Sequence, residues 1–378
     1  MGVAVGGAAA AAAQHVPAHH LSQAPPVLWG PRFTNPWPTW TGDKSLADVW
    51  GLMSKMRALG APAWGYLSSN RSPSLEDCAR AFPMVPPDAA ALAAPPADAV
   101  QALWVGHASL LVQMEGVAFM TDPFFSQRSS PVQFLGPRRA VQPALVPEDA
   151  AMPRLDFVLL SHNHYDHLDT GSVDRLHRRF GPELAWYVPL GMQAWFSGRG
   201  ITNVTELDWW QEVQHPGSKV RVVMTPAQHW SARGALDRRA TLWGGWAVLG
   251  HDLRFWFAGD TGYCPVFKEI GDRLGPFDLA AIPIGAYEPR DFMRPMHIGP
   301  EEALQVHRDV RSRKSVGVHC CTFFLTTEPL DEPPRLLQQV LAQQQLDASE
   351  FVTLRHGALL QTAGGVDLNS PPLLPLSE

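Results

Sequence analysis

Cysteine is scarce in this chain, with four copies at Cys78, Cys264, Cys320 and Cys321 among 378 residues. No CxxC pair occurs and two of the four are neighbours, so there is no disulfide framework and an intracellular, reducing compartment is expected. Charge is also sparse: Asp, Glu, Lys and Arg make up 17% and the net charge is −6. The first value lies below the usual quarter and excludes a solvated, disordered polyelectrolyte. The second excludes a nucleic-acid backbone as the main partner, which normally needs a basic face. No run reaches the roughly 18 apolar residues needed to span a bilayer. The N-terminus lacks a basic region and a Leu-rich stretch, and Gly6 stands where a myristoylation pattern wants Ser or Thr.

What is abundant points elsewhere. Hydrophobic residues fill 46% of the chain, enough for a sizeable core. There are 35 prolines, 14 tryptophans and 15 histidines, the last unevenly placed. Residues 1–28 are Gly- and Ala-rich at their start and are expected to form a disordered tail. Residues 29–98 read as an N-terminal arm and helix packed on the core. The arm contains RFTNPWPTW at 32–40, where prolines fix an extended path and tryptophans offer area to bury. At 44–59 the apolar residues Leu46, Val49, Trp50, Met53, Met56 and Leu59 have helical spacing. That helix faces either the core or a membrane surface. Residues 79–98, rich in Pro and Ala, read as a linker.

From 99 to 365 short strands alternate with helical segments. Strands are expected at 102–105, 109–114, 117–121, 157–160, 186–188, 220–225, 241–249, 254–258, 279–282 and 315–318. Helices are expected at 171–180, 189–198, 265–273, 299–313 and 333–345. This mixture argues for one large α/β domain of sheets covered by helices, followed by a C-terminal tail at 366–378.

Four of these strands end on a histidine or aspartate. The run at 157–160 leads into Ser161-His162-Asn163-His164-Tyr165-Asp166-His167; the others lead to His229, Asp260 and His319. Three imidazoles and a carboxylate within six residues suit Zn²⁺, which takes nitrogen at about 2.0–2.1 Å. A compact turn cannot aim all four at one ion. It can send His162 and His164 one way and Asp166 and His167 the other, which suggests two ions about 3.5–4 Å apart. His229, Asp260 and His319 are candidates for the remaining ligands. Any one of these histidines alone would more commonly be a hydrogen-bonded core residue.

HxHxDH, a distant His, GDTG and a final His together resemble the metallo-β-lactamase superfamily. The runs 104–116, 121–139, 161–173, 206–210, 258–265 and 277–293, with the arm at 32–40, further resemble the family of N-acyl-phosphatidylethanolamine-hydrolysing phospholipases D. The resemblance covers roughly residues 29 to 360. It implies a four-layer αβ/βα sandwich and two Zn²⁺ per chain. One would be held by His162, His164 and His229, and the other by Asp166, His167 and His319, with Asp260 bridging. His297 matches a family histidine near the substrate phosphate. The chain departs from the family at Met296, where relatives usually carry Gln, and at Gly299, where they carry Asp. After His319 it has Cys320-Cys321 in place of Trp-Gly. These departures touch the pocket wall and not the ligands.

The implied chemistry is hydrolysis of N-acyl-phosphatidylethanolamine to an N-acylethanolamine and phosphatidic acid. Asp166 and Asp260 would orient the attacking water as well as bind metal, and His297 would serve the phosphoryl oxygen or the leaving alkoxide. The expected partners are an N-acylated phospholipid, a membrane surface touched peripherally at its cytoplasmic face, and a second copy of the chain in a homodimer. Two other classes stay open: a lactonase or soluble phosphodiesterase on the same centre, and a non-catalytic metal-binding homologue.

Overall fold

The computed structural model describes residues 32–42, 50–51, 54, 74–234 and 236–374. The expected tail at 1–28, most of the expected helix at 44–59, and residues 375–378 lie outside them.

Fifteen strands among the described residues build two sheets. The first holds β1 (Val100–Gly106), β2 (Ser109–Met114), β3 (Val117–Thr121), β4 (Phe157–Leu159), β5 (Ala185–Pro189) and β6 (Val204–Leu207). The second holds β7 (Glu212–Gln214), β8 (Arg221–Thr225), β9 (Gly245–Leu249), β10 (Arg254–Phe257), β11 (Leu279–Pro283), β12 (Ser315–Val318) and β13 (Phe351–Val352). The chain then returns to the first sheet as β14 (Leu359–Ala363) and β15 (Val366–Asp367). The strand orders are β15-β14-β1-β2-β3-β4-β5-β6 and β13-β12-β11-β10-β9-β8-β7.

Side chains on successive strand residues point to opposite faces, so a strand buried on both faces feeds two cores. The first sheet does this. Ala102 and Trp104, Leu110 and Val112, Phe119, Phe157 and Tyr187 enter the core between the sheets. Their neighbours Leu103, Val105, Leu111, Met120, Val158 and Trp186 enter a second core. That second core is closed by Val173 and Leu176 of the helix Thr170–Phe180 and by Phe196 of Gln193–Ser197. On the far side, Ile270 of Val266–Leu274, Leu304 of Pro300–Asp309 and Leu337 of Glu332–Gln343 cover the second sheet. The result is the four-layer αβ/βα sandwich, an α/β fold.

Three expectations are corrected. The Pro/Ala-rich stretch 79–98 is not simply a linker. It carries the end of the helix Leu75–Ala81 and a short helix Ala89–Ala93, whose first N–H groups at Ala90 and Ala91 are capped by Asp88 at 3.0 Å. Alanine favours a helix once a cap starts it. The segment 366–378 is not a tail throughout. Gly364 and Gly365, both at positive φ, turn the chain so that Ala363 pairs with Val366. Asp367 then ion-pairs at 2.7 Å with the buried Lys314, and Leu374 is buried. The helix expected at 189–198 shrinks to Gln193–Ser197.

The arm lies on the domain. Phe33 and Asn35 are buried, and the Trp37 ring meets Trp209 at 5.3 Å.

Candidate metal centre

The four histidine- or aspartate-terminated strands come from both sheets and open at the same edge of the sandwich. β4 delivers the turn with His162, His164, Asp166 and His167; β8 delivers His229, β10 Asp260 and β12 His319. Gly259, at φ +63°, makes the bend before Asp260. A Cβ there would sit 2.6 Å from the Gly244 oxygen and 2.8 Å from Ser161 Cβ, so only glycine lets the two loops close on each other.

All seven sequence-selected ligand candidates meet. His162 Nε2 and His229 Nε2 lie 2.8 and 3.3 Å from His164 Nδ1. Two ligands on one tetrahedral ion are about 3.3 Å apart, so this trio converges on a point suited to a cation. On the other side, Asp166 Oδ2 is 3.3 Å from both His167 Nε2 and His319 Nε2. Asp260 Oδ2 lies between the groups, 3.1 Å from His167 Nε2, 3.2 Å from His319 Nε2 and 3.9 Å from both His162 and His229.

The outer nitrogens of three rings are anchored. His167 Nδ1 donates to Asp122 Oδ2 at 2.6 Å, and His229 Nδ1 donates to the Met296 carbonyl at 2.9 Å. Ser161 gives its hydroxyl proton to Asp122, so its oxygen accepts from His162 Nδ1 at 2.9 Å. Each of these rings therefore turns its Nε2 inward, the arrangement that fixes metal-binding histidines.

The electrostatics ask for positive charge here. Burial pushes the Asp166 and Asp260 carboxyls up, but the facing imidazoles, His167 foremost, outweigh it and hold both well below the usual carboxylate range. Burial pushes His167 and His319 down, yet the carboxylates reverse this, holding His167 well above its ordinary value and His319 at about 9. Burial keeps His164 near 4 and holds His162 and His229 well below the ordinary value, leaving lone pairs free. Asp260 Oδ1 is buried without a hydrogen-bond partner. Buried carboxylates need cations beside them, and an N/O donor set with a spare carboxylate oxygen fits a borderline divalent ion. The residues fit a two-metal centre.

Two participants were missed by sequence reasoning. His107 Nε2 donates to Asp166 Oδ2 at 3.1 Å, and its ring lies tilted 4.2 Å from that of His319. Asp122 ties His167 and Ser161 together. Both follow strand ends, β1 and β3, so the rule that selected the other residues would have found them. His107 and His319 have φ of 56° and 57°, uncommon for non-glycine residues and typical of constrained sites.

His297 stands beside the ligands, its Nδ1 3.9 Å from Asp260 Oδ2 and buried without a hydrogen-bond partner. It lines a cavity of 310 Å³ whose floor includes His164, Asp166, Asp260 and His319. Trp230, Phe292, Met293, Met296 and Leu325 make much of the wall. Tyr165 points elsewhere: its hydroxyl donates to the Arg233 carbonyl at 2.9 Å.

Comparison with known proteins agrees with this geometry. Residues 118–320 match the family described as a beta-lactamase superfamily domain. The chain is 46% identical over 69% of its length, and 76% of the relative's, to N-acyl-phosphatidylethanolamine-hydrolyzing phospholipase D 1 of Caenorhabditis elegans. It is 36% identical over 63% of its length, and 51% of the relative's, to a protein of Saccharomyces cerevisiae named N-acyl-phosphatidylethanolamine-hydrolyzing phospholipase D, mitochondrial. Among solved structures, a metallo hydrolase from Ignicoccus hospitalis superposes with a TM-score of 0.52 at 18% identity, over 70% of this chain and 98% of that one.

Proposed function

We propose a phospholipid reaction for this chain, which belongs to the beta-lactamase superfamily and, within it, to the family of the N-acyl-phosphatidylethanolamine-hydrolysing phospholipases D. Its substrate is an N-acyl-phosphatidylethanolamine, and its products are an N-acylethanolamine and phosphatidic acid. The observation that carries this is one cavity with an ionic floor of His and Asp and a wall of Trp230, Phe292, Met293, Met296 and Leu325. A phosphodiester needs the floor. An acyl chain needs the wall, because each buried CH₂ is worth about 0.8 kcal/mol.

His162, His164 and His229 would hold one Zn²⁺, Asp166, His167 and His319 would hold the other, and Asp260 would serve both. Bound there, the two cations lower the pKa of water toward neutrality and neutralise phosphate charge. The chain's own residues supply orientation. Asp260 and Asp166 accept hydrogen bonds from the attacking water and fix its approach to phosphorus. His107 fixes the Asp166 carboxylate by its Nε2–H. His297 donates to a phosphoryl oxygen or to the departing ethanolamine oxygen. Water adds to phosphorus, the bond from phosphorus to the ethanolamine oxygen breaks, and the water's proton ends on that oxygen. The apolar wall excludes bulk water.

Product analysis tests the reading. Purified protein with mixed N-acylated phospholipids should release phosphatidic acid and N-acylethanolamine, and chelator should stop it. Hydrolysis of a soluble lactone with no turnover of lipid vesicles would overturn it.

A further inference from the structure

The His229 backbone is held by a residue 194 positions away. Asn35 Nδ2 donates to the His229 carbonyl at 2.8 Å, and the His229 N–H donates to Asn35 Oδ1 at 3.2 Å. One buried amide thus takes both backbone groups of this residue. The pair of contacts fixes which end of the amide is oxygen and which nitrogen. The neighbours of this clamp are tied as well. Thr39 Oγ1 donates to Gln228 Oε1 at 2.5 Å, Phe33 N donates to the Arg239 carbonyl at 3.0 Å, and Gln228 pairs with Gly262 in the loop that carries Asp260. The Met296 carbonyl sets the tilt of the His229 ring, and Asn35 sets the backbone from which that ring hangs.

We propose that Asn35 is a positioning residue for the metal ligand His229, so that the N-terminal arm is a working part of the metal centre. The proposal rests on the ligand role given to His229 above. It also means that the matched superfamily domain, residues 118–320, is incomplete as a metal site without a segment more than eighty residues upstream of it. Groups that orient a ligand from outside typically change metal affinity by roughly 10- to 100-fold when removed.

The test uses the full chain as wild type, Asn35→Ala and Asn35→Asp. Each is stripped, refilled with zinc and titrated against a chromophoric chelator, and the stripped forms are melted. Wild type should hold two equivalents. Both variants should weaken one equivalent by roughly 10- to 100-fold and leave the other unchanged. If Asn35→Ala fails to fold, Asn35→Asp carries the test, because its carboxylate keeps the acceptor for His229 N–H while it removes the donor and sets an oxygen against the His229 carbonyl. Unchanged affinity in folded variants overturns the proposal, and so does a loss shared equally by both equivalents. A wild-type chain that binds no zinc overturns the metal-centre reading and this inference with it.

Discussion

Asp260 lies within 3.2 Å of His167 and His319 and within 3.9 Å of His162, His229 and His297, so a change there reaches both halves of the centre. Asp260→Asn keeps the shape and removes the charge that would offset the two proposed cations. We expect turnover to vanish and zinc content to fall below two equivalents, read by elemental analysis. His297→Ala should retain both equivalents while the rate on phosphodiesters drops by about 10²-fold or more; loss of zinc would place His297 among the ligands. His107→Ala should keep the fold but free the Asp166 carboxylate, lowering affinity for one equivalent by roughly tenfold or more. The seven residues that meet at the centre were legible in the sequence because each follows an apolar run that stops on a ligand type. His107 and Asp122 obey the same rule. What the sequence does not encode locally is which strand ends converge, and β1 and β3 reach this edge through pairing with β14, β2 and β4. Asn35 lies in the arm run that carries the resemblance, but nothing local points to its partner, which is 194 residues away.

At the scale of elements, legibility followed burial. Strands buried on every residue, such as β1, β2 and β3, stand out as apolar runs. The exposed β7, Glu212–Gln214, and the half-exposed β6 do not. The hairpin β14–β15 did carry a signal, Gly-Gly between two runs, which is a two-residue turn. The helix Pro300–Asp309 shows how an element answers to pH. His307 is buried on it, faces Ser315 Oγ at 2.8 Å, Glu350 at 3.9 Å and the Phe351 ring, and is held near 4 by burial and by Arg308. The unfolded chain titrates this histidine near 6.5, so between those values it binds more protons than the folded chain. Stability from this group is therefore complete above about 6.5 and is lost as pH falls toward 4, by roughly 3 kcal/mol in all. In stripped protein, so that metal release does not intrude, His307→Gln should melt close to wild type at pH 7. It should also lose less melting temperature than wild type between pH 7 and 4.5. An identical acid slope in both would refute the assignment.

For the molecule as a whole, the proposed function raises the question of how a lipid held in a bilayer would reach a floor between two sheets. No helix among the described residues is long and apolar enough to cross a membrane. In the described part of the arm, Phe33 and Asn35 are buried against the domain, while Trp37 and Trp40 are half-buried. Exposed apolar groups include Trp50, 74% exposed in the expected N-terminal helix, and a pair on the domain itself. Phe134 and Leu135, 81% and 48% exposed, cap a hairpin held by Ser129 N to the Pro137 carbonyl and by Arg128 to the Gly136 carbonyl. The base of that hairpin bridges Arg139 to Phe323, two residues before the Leu325 of the cavity wall. Under the proposed function, this exposed apolar tip is the candidate to meet a membrane. With a net charge of −6 the chain as a whole would not be drawn to anionic lipid, so docking would rest on exposed apolar groups such as this tip. Burying one Phe and one Leu is worth about 3 kcal/mol or more, or roughly 100-fold in partitioning. Phe134→Asp with Leu135→Asp should therefore abolish flotation with liposomes and slow turnover of vesicle lipid. Hydrolysis of a short, water-soluble phosphodiester should stay at the wild-type rate, because neither residue touches the floor. Equal loss on both substrates would mean that the hairpin shapes the cavity, and undiminished flotation would move the membrane contact to another face.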